Sequence, residues 1–115
     1  MSENELGDFP RLGNALRHLA DTIDARALEG DAGNSWTAKL LSKGRELCAE
    51  KVAEEGGELA DAIRNESDER VASEAADLLY HIFVALRARN IPLDAVGEAL
   101  EKRQGISGIA EKASR

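Results

Sequence analysis

Five carboxylates stand out by their spacing: Glu54, Glu55 and Glu58 in E-E-G-G-E, and Glu74 and Asp77 in E-A-A-D. Each group lies in helix-favouring text, and a short polar break, Asn65 to Ser67, separates the two. On a helix that advances about 100° per residue, Glu55 and Glu58 share one flank of an apolar stripe, with Lys51 beside them and Glu54 further toward solvent. Glu74, Asp77 and His81 share a flank of the second helix, displaced in the same rotational sense. A break this short folds the helices back antiparallel, which brings both flanks to one cleft. At about 1.5 Å of rise per residue, Glu58 should lie level with Glu74, and Glu55 level with Asp77.

One acidic i,i+3 pair is ordinarily a solvated face. Four carboxylates at the edge of a buried stripe repel one another unless something neutralises them. Hard oxygen donors at this density suit Mg²⁺, with Mn²⁺ possible. The expected chemistry is therefore metal-assisted attack of water, because the chain shows no Ser-His-Asp or Cys-His set for a covalent route. His81 reads as a structural hydrogen-bonding group at the cleft edge.

The elements that must position these groups are helical. Ala, Leu, Glu and Arg abound in the 115 residues, with only two prolines and four aromatic side chains. Asp8 can cap a first helix with Pro10 in its first turn; Leu12, Leu16, Leu19 and Ile23 carry its stripe to about Glu29. Gly30, Asp31, Gly33 and Asn34 mark a loop. Ser35 caps a short helix over Trp36 to Ser42, and Gly44 bends or ends it. Lys39, Lys43 and Arg45 cluster there, as either a solvated basic face or a phosphate-binding patch. The third helix spans about Arg45 to Arg64, burying Cys48, Val52, Gly56, Leu59 and Ile63. Gly56 and Gly57 sit in its middle and permit either close helix contact or a local bulge. Ser67 or Asp68 caps the fourth helix, which runs to about Arg89 and buries Ala75, Leu78, Leu79, Ile82 and Leu86. After Asn90-Ile91-Pro92, a fifth helix from about Leu93 to Gln104 buries Val96 and Leu100.

The expectation is one all-α domain over residues 1–115: an antiparallel bundle of about five helices, flexible over 1–8, with a polar tail over 105–115. The stripes of the third and fourth helices are too broad for the first and fifth to cover. A homodimer with four central helices would cover them. A formal charge of −7 disfavours nucleic acid. The acidic start is no signal peptide, and no apolar run approaches a membrane span of about 18 residues. The cytoplasm is the expected compartment. A single cysteine, Cys48, excludes an internal disulfide and reads as a buried, inert thiol.

The pattern Glu54-Glu55-x-x-Glu58 followed by Glu74-x-x-Asp77 is similar to the signature of the all-α, MazG-like nucleoside triphosphate pyrophosphohydrolases. Four segments sharpen this: Ser35 to Leu40, Glu50 to Glu55, Glu74 to His81, and Gly105 to Gly108 continuing through Glu111 to Arg115. They resemble the phosphoribosyl-ATP pyrophosphatase family, over Ser35 to Arg115. The resemblance implies hydrolysis of phosphoribosyl-ATP to phosphoribosyl-AMP and pyrophosphate, the second step of histidine biosynthesis. It implies Glu55, Glu58, Glu74 and Asp77 as Mg²⁺ ligands, with Glu54 binding metal or, like Glu55, acting in catalysis on the attacking water. Lys39, Lys43 and Lys51 become candidate phosphate contacts, and Lys112 and Arg115 would close on the substrate. Gly56-Gly57 departs from the small helix-forming pair usual there. The metal-binding cysteines of the cyclohydrolase sometimes fused to this domain have no counterpart, so one reaction is expected.

Three rivals remain at this stage. A house-cleaning (d)NTP pyrophosphatase would share the fold. A di-iron carboxylate bundle needs Glu-x-x-His, but Leu78 stands three residues before His81. A non-catalytic acidic interaction module would leave the carboxylates without chemistry.

Overall fold

A computed structural model of the chain describes residues 8–30 and 35–105. Five α-helices follow in order: α1 (Pro10–Glu29), α2 (Trp36–Lys43), α3 (Arg45–Asn65), α4 (Asp68–Ala88) and α5 (Leu93–Lys102). No strand occurs among the described residues. None of these helices is long and apolar enough to cross a membrane.

Local chemistry explains most of the boundaries. Ser35 and Ser67 each accept a hydrogen bond from the backbone N–H three residues on, at 3.0 and 3.3 Å, which satisfies an otherwise orphaned donor of α2 and α4. Gly44 has a φ of 86° and closes α2 while opening α3, so the chain turns there with no intervening loop. A side chain at that φ would strain the junction. Asn90 ends α4 in the left-handed region at φ 56°, held by a 2.8 Å hydrogen bond that Arg87 donates to its side-chain oxygen. Pro92, with φ −68°, opens α5.

The N-terminal cap differs from expectation. Phe9, not Asp8, occupies the cap position, and no side chain caps α1. Pro10 already occupies the first helical position, so one of the orphaned N–H groups is absent and a cap is worth less.

The α3 and α4 helices form an antiparallel hairpin through the two-residue turn Glu66–Ser67, and this is the most extensive packing in the chain. α1 and α2 pack across its open end. The core lies there: Ile23, Leu40, Cys48 and Val84 are buried, flanked by Leu19, Leu41, Leu47, Tyr80 and Phe83. Thr37 ties α2 to α4 through a 2.5 Å hydrogen bond with the Tyr80 hydroxyl. Cys48 is free and buried; its thiol faces the Leu40 carbonyl at 3.6 Å, and burial pushes its pKa up. Such a thiol is inert.

Several expected core positions are not buried. Val96 and Leu100 are 42% and 59% exposed, because α5 packs little against the other helices. That helix also ends at Lys102 rather than Gln104. On α3, Ile63 is exposed, and Val52, Gly56 and Leu59 are half-buried. On α4, Ala75, Leu78, Leu79, Ile82 and Leu86 are half-buried, whereas Glu74, His81 and Val84 are buried. The hairpin contact line therefore runs along the acidic flank of α4, leaving its apolar stripe partly open.

Gly56 and Gly57 neither bulge nor admit a close neighbour. α3 is continuous through both, and a Cβ added at either meets nothing within 4 Å. Gly57→Ala is accordingly expected to stabilise the folded chain by about 0.4–1 kcal/mol, by reducing the freedom of the unfolded chain. Urea denaturation checks this; a lower midpoint would show that the glycine has a structural role.

Candidate active site

The hairpin brings the five carboxylates together. Carboxylate oxygens of Glu54, Glu55 and Glu58 all lie within 4.8 Å of one another, as do those of Glu55, Glu74 and Asp77. Glu55 is common to both groups and joins them across the two helices. Glu58 also meets Glu74 side chain to side chain. The pairings match equal heights above the turn, as antiparallel packing at about 1.5 Å per residue requires.

Two oxygens define the centre. Glu55 Oε2 and Glu74 Oε2 are buried and have no hydrogen-bond partner. A buried carboxylate oxygen left unpaired costs free energy, and unsatisfied groups of this kind are rare in folded proteins. The other Glu74 oxygen accepts from Arg70, one turn earlier, and Arg70 also donates to Glu66 at 3.3 Å. Arg70 thus fixes one edge of Glu74 and leaves the second oxygen buried without a partner. An all-oxygen donor set with two unpaired buried oxygens fits a hard divalent cation.

Electrostatics agree with the geometry. The Glu58 carboxyl is held above its ordinary pKa, first by a hydrogen bond to the Glu55 side chain and then by the charge of Glu55; its bond to Glu74 opposes this. Glu74 is raised chiefly by burial, against the Arg70 charge, with Glu58 and Asp77 adding to the rise. Both groups thus resist ionisation in the crowded cluster.

Glu54 is 54% exposed, on the outer side as expected, yet its oxygen remains within reach of Glu55 and Glu58. Lys51 pairs with it at 3.4 Å and holds its ammonium 5.8 Å from the Trp36 ring centroid. Lys51 therefore belongs to the cluster's rim. Lys39 and Lys43 lie exposed on α2 with no salt bridge to the acids. Lys112 and Arg115 lie outside the described residues. His81 is buried, its Nδ1 2.8 Å from the Asp77 carbonyl oxygen and its ring edge-on to Tyr80. That bond fixes the ring one turn below Asp77 and uses Nδ1 structurally.

Sequence reasoning missed Arg70 and Trp36. The i,i+4 spacing of Glu66, Arg70 and Glu74 was a legible signal for Arg70, since such pairs meet on a helix. Nothing local marked Trp36, which approaches Lys51 only because α2 folds back onto α3.

An all-α chain whose central helical hairpin gathers acidic oxygens from both helices is a carboxylate-cluster helical protein. Comparison with known proteins narrows the class. The family model for phosphoribosyl-ATP pyrophosphohydrolase matches residues 16–104. The chain is 54% identical over 102 residues to a phosphoribosyl-ATP pyrophosphatase of Cereibacter sphaeroides strain KD131, covering 87% of this chain and 96% of that protein. It is 50% identical to the proteins of the same name from Dinoroseobacter shibae, over 89% of this chain and 99% of the relative, and Paracoccus denitrificans, over 87% and 92%. The chain belongs to the phosphoribosyl-ATP pyrophosphohydrolase family.

Proposed function

We propose that this chain hydrolyses phosphoribosyl-ATP to phosphoribosyl-AMP and pyrophosphate, the second step of histidine biosynthesis, by direct attack of water on the anhydride. Family membership supports the substrate. The observation that carries the chemistry is the pair of unpartnered buried oxygens, Glu55 Oε2 and Glu74 Oε2, on two residues whose carboxylates meet within 4.8 Å across α3 and α4.

In this reading Glu55, Glu58, Glu74 and Asp77 hold Mg²⁺, or Mn²⁺ in its place. The bound cation supplies positive charge to the phosphate oxygens and to the departing pyrophosphate. Glu54 is exposed and paired only with a lysine, so it is free to orient the attacking water and take its proton, with Glu55 beside it. Lys51 releases Glu54 to contact a phosphate, with Lys39 and Lys43 on α2 adding charge. Lys112 and Arg115 are the remaining candidate substrate contacts. Arg70 orients Glu74, and its charge opposes the rise in the Glu74 pKa. Purified protein is expected to release pyrophosphate from phosphoribosyl-ATP only with Mg²⁺ present, and to prefer it over every member of a dNTP panel. A preference for a dNTP would identify a house-cleaning enzyme instead.

The working form in this reading is a homodimer. Ile63, Val96 and Leu100 stay exposed, and the apolar faces of α3 and α4 are half-covered. Pairing two hairpins would bury those faces in a four-helix centre. Light scattering at micromolar concentration should give twice the 12.4 kDa chain mass; the mass of one chain would contradict it.

A further inference from the structure

We propose that Trp36 is the stacking platform for the adenine ring of the nucleotide. The inference rests on the hydrolase reading above and adds a base-binding residue outside the carboxylate cluster. Trp36 opens α2 and is 52% exposed, an unusual position for the only tryptophan of the chain. Its ring is not stranded far from the acids. The Lys51 ammonium lies 5.8 Å from the ring centroid and 3.4 Å from Glu54 Oε2. One side chain therefore spans the whole gap between the indole and the carboxylates.

That gap suits a nucleotide. A ribose separates the base from the first phosphate, so an anhydride placed at the acids puts the base one sugar's length away, on the Trp36 side of Lys51. The ring is held ready for it: Thr37, the next residue, is buried and bonded to Tyr80 at 2.5 Å, and Ser35, the residue before, caps α2. The indole is thus exposed on a fixed backbone, which lowers the cost of ordering it on binding. In the free chain Lys51 occupies the neighbourhood of the ring as a cation near an aromatic face. A base arriving on the ring displaces the ammonium toward the phosphates. Stacking on a planar aromatic and a lysine moved to the anhydride would then be coupled events.

The single tryptophan makes a direct test. Titrating the metal-loaded protein with AMP should quench its intrinsic emission saturably, while ribose 5-phosphate and pyrophosphate should not. Equal quenching by ribose 5-phosphate would mean that phosphate moves Lys51 without any stacking, and would overturn the proposal. So would no response to AMP, or emission that changes only with protein concentration, as a partner chain covering the ring would cause. In steady-state assays Trp36→Leu should raise KM for phosphoribosyl-ATP by about 5- to 150-fold, well beyond any fall in kcat, and Trp36→Phe should restore most of it. A fall in kcat alone, unrescued by Phe, would make the role structural. Should AMP quench a protein that leaves phosphoribosyl-ATP intact, the platform stands and the hydrolase reading falls.

Discussion

Glu55→Gln is expected to lower kcat for phosphoribosyl-ATP by on the order of 10³-fold while leaving the metal-free fold at least as stable as before. Glu55 is the one residue common to both carboxylate groups, and among the described residues its Oε2 is one of two buried side-chain oxygens with no protein partner. Removing its charge removes a ligand from the centre of the proposed site. The same change relieves repulsion with Glu58, whose carboxyl is held above its ordinary pKa first of all by Glu55. An amide at this position can also donate a hydrogen bond to a neighbouring carboxylate. Activity and stability should therefore move in opposite directions, a separation that a merely structural glutamate would not produce. Steady-state kinetics and a thermal melt without metal check the two halves. Activity within tenfold of the unaltered chain would remove the cluster from the mechanism and favour an acidic interaction module.

Removal of divalent metal is expected to abolish hydrolysis and to invert the pH dependence of stability contributed by the cluster. Glu58 and Glu74 have folded-state pKa values above their ordinary 4.5. A carboxyl shifted upward binds protons more tightly when folded. Its contribution to stability is present below the unfolded value and is lost as pH rises through the folded one. The metal-free chain should therefore lose melting temperature as pH climbs above 4.5 through the range of these raised groups. Mg²⁺ at about 100 times its Kd adds about 2.7 kcal/mol, or about 11 °C for a domain of this size, and only where the carboxylates are ionised. Scanning calorimetry across pH, with and without Mg²⁺, separates the two curves. Glu58→Gln should flatten the metal-free one. A melting temperature indifferent to Mg²⁺ at neutral pH would show that the acids do not bind it.

The helices were legible because their signals are local. Ser35 and Ser67 cap as their types dictate, Gly44 and Asn90 take backbone angles that few residues accept, and the apolar spacing of α1 to α4 repeats with the helical period. The gathering of the carboxylates was legible for a related reason. A turn of two residues leaves two long helices only one way to pack, so residues equidistant from it must face one another. Glu55 with Asp77 and Glu58 with Glu74 follow from counting.

What counting could not supply was burial. A periodic stripe says which residues share a face, not which other face covers it. Val96 and Leu100 repeat correctly on α5, yet that helix finds little to pack against within the chain. Glu74 and His81 read as flank residues and lie instead along the hairpin contact. By itself, the sequence determined an all-α chain with four carboxylates on matched helical flanks and Glu54 outside them, since rise, rotation and turn length are properties of the local backbone. The tertiary structure alone decided that Glu55 Oε2 and Glu74 Oε2 are buried without partners, that Arg70 holds the other edge of Glu74, and that Lys51 links Trp36 to Glu54. Those facts depend on how deeply one helix sinks into another and on where α2 folds back. Both are set by the sum of many distant contacts, which no local spacing records.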